Sequence, residues 1–201
     1  AKSNEELACM RRAELAAACK VLGGPEFEAL DYLDAHLDRT SLLPVVGDIV
    51  LRIREFQPHV VVTFGPDGGS TGHLDHGMAG IFATLAFEWA ARPDRYPEQL
   101  TDGIRPHRAQ KLYYFAAAYL LEGRHPIAPP TSTARIEFGD RIFEQKIEAF
   151  RQHTTQLPLL ARLRNNVGRH GPAETYHLAM TSEPRSAKFE TDLFEDVVIE
   201  N

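Results

Sequence analysis

His59-Val60-Val61-Val62-Thr63-Phe64 runs straight into Gly65-Pro66-Asp67-Gly68-Gly69-Ser70-Thr71 and then Gly72-His73-Leu74-Asp75-His76. The β-branched run reads as a strand of the kind buried in parallel sheets. The glycine-rich stretch reads as a loop whose backbone can adopt positive φ and come close to a substrate. Met78, Ile81, Phe82, Leu85 and Trp89 then recur at helical spacing and predict an amphipathic helix that stops before Arg92-Pro93-Asp94. Strand, glycine loop and helix form the repeating unit of α/β folds, in which ligands bind at the carboxyl ends of strands. This loop delivers two imidazoles and a carboxylate to such an end.

Outward from this stretch the chain alternates. Residues 4–22 predict a helix, with Ser3 or Asn4 as cap, Glu5 and Glu6 in the first turn and Gly23-Gly24-Pro25 as the stop. Its apolar stripe is Ala8, Leu15, Ala18, Cys19 and Leu22. Residues 27–32 read as a short strand. Residues 42–56 read as a helix with Val45, Ile49, Ile53 and Phe56 on one face and Pro58 closing it. Beyond the polar segment 93–109, a strand is expected at 111–116, a proline-containing connection at 122–132 and a short strand at 135–138. A helix is expected over 141–164, with Phe143, Ile147 and Phe150 inward and a break near Pro158. A last strand at 174–180 precedes an acidic tail, 185–201. The pattern predicts one α/β domain over residues 1–201 with a mainly parallel sheet.

Composition narrows the function classes. A 201-residue chain with 43% hydrophobic residues can bury one substantial core. Its net charge of −6 offers no general attraction for nucleic acid, and apolar runs are broken by charge long before a membrane span is reached. Cys9 and Cys19 do not make a disulfide framework and favour a cytoplasmic setting.

His73 and His76 are three apart at the entry to a helix, so both rings can face one side of its first turn. Neutral imidazole is a common metal ligand, and Asp75 could orient a ring from behind. Spacing alone equally allows a polar loop in which Asp75 merely caps the helix. A catalytic zinc takes three protein ligands and an open position, and this loop offers at most two. Arg11 and Glu14 most simply form an i,i+3 ion pair. Lys146, His153 and Gln156 share a helical stripe that reads as a solvated face. Asp34 follows the expected strand 27–32, where a ligand contact or a turn are both plausible. His36, His59 and His177 carry no motif.

Together these residues resemble the PIG-L/LmbE-like family, zinc-dependent deacetylases of N-acetylglucosaminyl compounds. The closest match is the strand and the Gly72-His73-Leu74-Asp75-His76 element, with Pro58 where the family usually has its proline. Arg11-Arg12-Ala13-Glu14-Leu15 is similar to the family's R-x-x-E-L. Leu30 to Asp34 resembles its L-x-x-P-D with Leu33 in place of proline, and Lys146, His153 and Gln156 resemble its late helix. The resemblance implies a Rossmann-like three-layer fold and a Zn2+ cofactor, with iron or cobalt tolerated. It implies that His76 completes the metal site, that His73 stabilises the tetrahedral intermediate or protonates the leaving amine, and that Asp75 supports His73. It implies sugar-hydroxyl contacts for Arg11 and Asp34, and a small-molecule N-acetylated amino-sugar as the substrate.

The chain departs from the family in one large respect. The A-H-P-D-D-E motif, which supplies two metal ligands and the general base, has no counterpart here, and Thr71 replaces an aromatic or amide side chain ahead of Gly72-His73. The expectation is therefore an N-terminally incomplete domain whose first strand region is missing. Alone it would be inactive and bind zinc weakly, with an open sheet edge that invites homo-oligomers. A non-catalytic sugar-binding or regulatory relative is the alternative; a metal hydrolase recruiting His59 or His36 is a third.

Overall fold

A computed structural model of the chain describes residues 3–24, 27–116 and 130–199. In chain order the elements are α1 (Asn4–Leu22), α2 (Leu42–Phe56), β1 (Val60–Phe64), α3 (Leu74–Ala90), β2 (Lys111–Phe115), β3 (Ala134–Glu137), α4 (Asp140–Gln152), α5 (Leu160–His170) and β4 (Ala173–Thr181). They fall into two compact units, Ala1–Asp31 with Glu137–Ala173, and Tyr32–Ile136 with Glu174–Asn201. Most of the connection expected at 122–132 lies outside the described residues.

The second unit holds the sheet, in the order β1-β2-β4-β3. β1 and β2 run parallel from Val60 opposite Lys111 to Phe64 opposite Phe115, the pairing a βαβ crossover through α3 requires. β4 runs antiparallel to β2, with an irregularity between Leu112 and Tyr113. The α/β class holds, and within it the parallel pair is the one that carries the histidine loop. Two corrections apply. Residues 27–32 form no strand, since no ladder partner lies beside them among the described residues. β1 is an edge strand rather than a fully buried one, with Val62 47% exposed.

α2 and α3 pack on each other through Val46, Val50 and Ile53 against Phe82, Ala86 and Ala90. The buried face of α2 is rotated from the expected one: Phe56 is 77% exposed, while Arg54 is buried at 1%. The sequence stripe failed there because the Arg54 guanidinium finds enough acceptors to go inside. It donates to the carbonyls of Trp89, Ala90, Arg92, Arg95 and Tyr96 and to Gln99 Oε1, tying the end of α3 and the turn after it to α2. Gly80 and Gly77 let α3 lie directly on the end of β1: a Cβ at Gly80 would overlap the Phe64 carbonyl, and one at Gly77 would stand 2.7 Å from the Pro66 carbonyl.

In the first unit, α1 packs on α4. Ser3 and Glu6 form a reciprocal capping box at the start of α1, and Gly23 ends it in the left-handed conformation (φ 76°), both as the sequence signals require. The helix expected over 141–164 breaks at His153, earlier than Pro158, and a 3-10 turn (Thr154–Leu159) containing Pro158 leads into α5. The acidic tail is not free: Glu190 is fully buried and bridges to Ala134 of β3.

Candidate active site

The site forms in the second unit, where the chain leaves the carboxyl end of β1. Gly68 (φ 78°), Gly69 (φ 64°) and Gly72 (φ 58°) all take left-handed backbone, and Gly68 has no room for a side chain, since a Cβ would meet the His73 carbonyl at 2.6 Å. These glycines turn the chain sharply enough to start α3 at once, with His73 as its N-cap and His76 in its first turn.

His76 is fixed on three sides. Its ring lies flat on Phe64, with centroids 4.1 Å apart and planes 7° from parallel. Its Nδ1 is 3.3 Å from the Gly68 carbonyl and 3.0 Å from Thr71 Oγ1. A carbonyl oxygen can only accept, so Nδ1 carries the proton and the Nε2 lone pair is left available. Burial holds the His76 pKa below the ordinary imidazole range, against the opposing pull of the Gly68 carbonyl; His73 lowers it further, and Asp75 and Asp34 raise it. A neutral ring with Nε2 open is the state in which imidazole binds a metal. The His73 ring sits 5.4 Å away, centroid to centroid.

Thr71 is the hub of the loop. Its hydroxyl meets His76 Nδ1, accepts the His73 N–H (3.2 Å) and reaches the Gly68 carbonyl (3.4 Å). Sequence reasoning missed this role, treating Thr71 only as a replacement for an aromatic or amide side chain ahead of Gly72-His73. The signal was slight: a hydroxyl residue five positions before a histidine, across a turn.

Asp75 also differs from expectation. Its carboxylate accepts the backbone N–H groups of Ala35 (2.6 Å) and Leu37 (3.3 Å), while the His73 ring receives Asp75's own backbone N–H at Nδ1 (3.2 Å). The carboxylate thus holds the turn that carries Asp34, not the imidazole. A residue at the second position of a helix points back toward the preceding chain, and the nearest unsatisfied donors there belong to that turn.

Arg11 lies exposed on α1 of the other unit. Glu14 does not pair with it as spacing suggested. Glu14 is 7% exposed and accepts from Thr154 Oγ1 (2.5 Å), Thr155 Oγ1 (2.7 Å) and the Thr155 N–H (2.9 Å), capping the 3-10 turn after α4. Those hydrogen bonds, Thr154's first, hold its carboxyl below the usual range. The stripe of Lys146, His153 and Gln156 is split by the helix end: Lys146 stands over the Phe138 ring at 5.7 Å, His153 caps α4, and Gln156 donates its N–H to the His153 carbonyl.

Among the described residues no three His, Cys, Asp or Glu side chains converge closely enough to hold a metal ion. His59, at the far end of β1, and His36, whose Nδ1 lies 2.8 Å from the Asp34 carbonyl, add no third ligand. The described residues thus do not bring together the three ligands that a catalytic zinc uses.

The unit is an α/β domain with two imidazoles where the chain leaves the carboxyl end of β1. Comparison narrows the class. A family model described as "PIG-L: GlcNAc-PI de-N-acetylase" matches residues 1–87. The chain is 31% identical over 119 residues to mycothiol S-conjugate amidase of Streptomyces coelicolor, covering 52% of this chain and 39% of that protein. It is 34% identical over 141 residues to the 1D-myo-inositol 2-acetamido-2-deoxy-alpha-D-glucopyranoside deacetylase of Rhodococcus jostii (61% and 45%). It is 31% identical over 170 residues to the Thermobifida fusca deacetylase of the same name (71% and 56%). Among solved structures, N,N'-diacetylchitobiose deacetylase from Pyrococcus horikoshii superposes with a TM-score of 0.69 at 21% identity, covering 88% of this chain and 65% of that one. The conserved protein TT1542 from Thermus thermophilus gives 0.63 at 19% identity (92% and 78%). The chain is thus similar to PIG-L-type de-N-acetylases, over residues 1–87 for the family model and over 52–71% of its length for these three relatives. It spans less than half the length of the first curated relatives it matches.

Proposed function

We propose that this chain carries part of the active site of a metal-dependent hydrolase that removes the N-acetyl group from an amino-sugar conjugate. The observation behind this reading is the setting of His76: its Nδ1 faces the Gly68 carbonyl, and burial holds its pKa below the ordinary imidazole range. The relatives named as deacetylases of a 2-acetamido-2-deoxy-glucopyranoside support an N-acetylated amino-sugar as the substrate class. His76 is the residue that would hold the metal, zinc by resemblance to the family. When bound, such an ion lowers the pKa of its water and polarises the acetyl carbonyl. His73, whose ring lies beside that of His76, is assigned the donation of a proton to the oxygen or nitrogen of the scissile amide. Asp34, whose charge is felt at His76, and Arg11 are assigned to sugar hydroxyls. The free thiols Cys9 and Cys19 fit a cytoplasmic setting, and no described helix is long and apolar enough to cross a membrane.

Calorimetric titration of zinc into the chain, paired with an acetate-release assay on N-acetylglucosaminides, tests this. Weak zinc binding that disappears in His76→Ala and persists in His73→Ala is the expected result. A His76→Ala chain that binds zinc as the wild type does would overturn the metal assignment. The partial donor set favours a second reading, a sugar-binding relative without catalysis. Sugar binding by the full-length protein with zinc present and no acetate released would select it.

A further inference from the structure

We propose that Asp75 is a positioning residue that clamps the Asp34 turn to the first turn of α3, so that the group reading the sugar and the group facing the metal form one rigid frame. What the turn contacts rests on the deacetylase reading; the clamp itself does not.

Asp75 is more than nine-tenths buried, and its carboxylate oxygens receive N–H groups from chain forty residues earlier, at Ala35 and Leu37. An acidic residue that served only the helix dipole would face its own helix's amides. Here the carboxylate reaches outside the helix. The turn it holds is strained: Ala35 sits at φ 61°, a conformation its Cβ disfavours and that persists only where the surroundings impose it. Inside the turn, His36 Nδ1 bonds the Asp34 carbonyl, and the His36 carbonyl accepts from Arg39 N–H and Thr40 Oγ1 (both 3.0 Å), giving it internal stiffness. Among the described residues, the hydrogen bonds that tie the turn to α3 both end on Asp75. His76 follows Asp75 by one residue on the same helical turn. Asp75, together with the packing of Leu37 against the core shared with α3, therefore sets the separation between Asp34 and His76. In a deacetylase that separation decides which sugar hydroxyl can be gripped while the acetamide meets the metal.

Nitrogen-15-labelled chain, wild type and the variants Asp75→Ala and Asp75→Asn, is examined by NMR with and without N-acetylglucosamine as probe. In Asp75→Ala the Ala35 and Leu37 amides should move upfield and exchange about tenfold faster, the loss of one hydrogen bond each. The His76 ring should keep its Nδ1–H signature. Sugar-induced shifts at residues 34–37 should vanish, and Asp75→Asn, which retains an acceptor oxygen, should recover part of them. If Asp75→Ala does not fold, the Asn variant is read in the same way, with intermediate losses at the two amides. Unchanged Ala35 and Leu37 amides in a folded variant would overturn the clamp, as would displaced His73 ring signals beside an intact turn. A wild-type chain whose residues 34–37 ignore the sugar defeats the substrate reading of the turn, and the amide result still decides the clamp.

Discussion

At the scale of single residues, the site depends on which nitrogen of His76 carries the proton. Gly68's carbonyl and Thr71's hydroxyl share that proton, and Phe64 holds the ring plane. Thr71→Val keeps the shape, removes one of the two acceptors and frees the His73 N–H from its partner. Partners behind a metal ligand commonly contribute ten- to a hundredfold in affinity, and because Gly68 remains, about tenfold weaker zinc binding is expected by calorimetry. Arg54 shows the structural counterpart. Arg54→Met removes the donor to five carbonyls and an amide oxygen at once, and chemical denaturation should show a loss of about 3 kcal/mol or more. Neither role was legible in sequence. His73 and His76 stand out by type and spacing, but a tautomer is set by a carbonyl, and carbonyls carry no sequence signal. Arg54 reads as an exposed charge beside an apolar stripe until its acceptors, thirty-five to forty-five residues away, are in place.

At the scale of elements, local signals served well where one element decided its own fate. α1 begins and ends where its cap and glycines indicate, α2 ends just ahead of Pro58, and β1 follows its β-branched run. They failed where a partner decides. Residues 27–32 have strand composition yet lack a ladder partner among the described residues, and the face that α2 buries is chosen by α3. The contact that places the histidine loop, α3 lying on β1, turns on Gly80. Gly80→Ala adds a methyl group that overlaps the Phe64 carbonyl, backbone that cannot rotate away. Alanine would otherwise favour the helix by about 1 kcal/mol over glycine, so a destabilised variant isolates the packing term. Thermal melts should show a lower Tm, and the His76 ring, which rides on α3, should lose its stacking on Phe64 and weaken in zinc binding.

At the scale of the molecule, each unit is held by a buried charge from a distant part of the chain. In the helical unit, Glu14 caps the turn after α4, and its carboxyl is held below the ordinary value by Thr154 and Thr155. Its contribution is complete above the unfolded carboxyl pKa and is lost as pH falls through the lower folded value. Melting curves from neutral to strongly acidic pH should therefore fall less steeply for Glu14→Gln, which has already lost the ionised form.

In the sheet unit, Lys111 Nζ meets Glu190 (2.9 Å) and the Leu193 carbonyl (3.3 Å) with both charged side chains all but inaccessible; Tyr113's hydroxyl bonds Glu190, and Arg185 joins at 3.1 Å. This network converts an acidic tail into part of the sheet, through the Glu190 bridge to Ala134. Desolvating such a pair costs nearly what their attraction returns, so the pair as a whole adds little net stability, whereas either charge left alone is expensive. Glu190→Gln should thus cost about 3–5 kcal/mol, release residues 185–199 to proteolysis and strand Lys111 in the interior. Replacing both partners, Lys111→Met with Glu190→Leu, should recover most of that loss, though Tyr113 and Arg185 lose an acceptor. A double variant no more stable than Glu190→Gln would mean that the tail is held by Arg185, Lys188 and their exposed carboxylates instead. Denaturation midpoints of the wild type, Lys111→Met, Glu190→Leu and the double variant decide between the two through the coupling energy of that cycle.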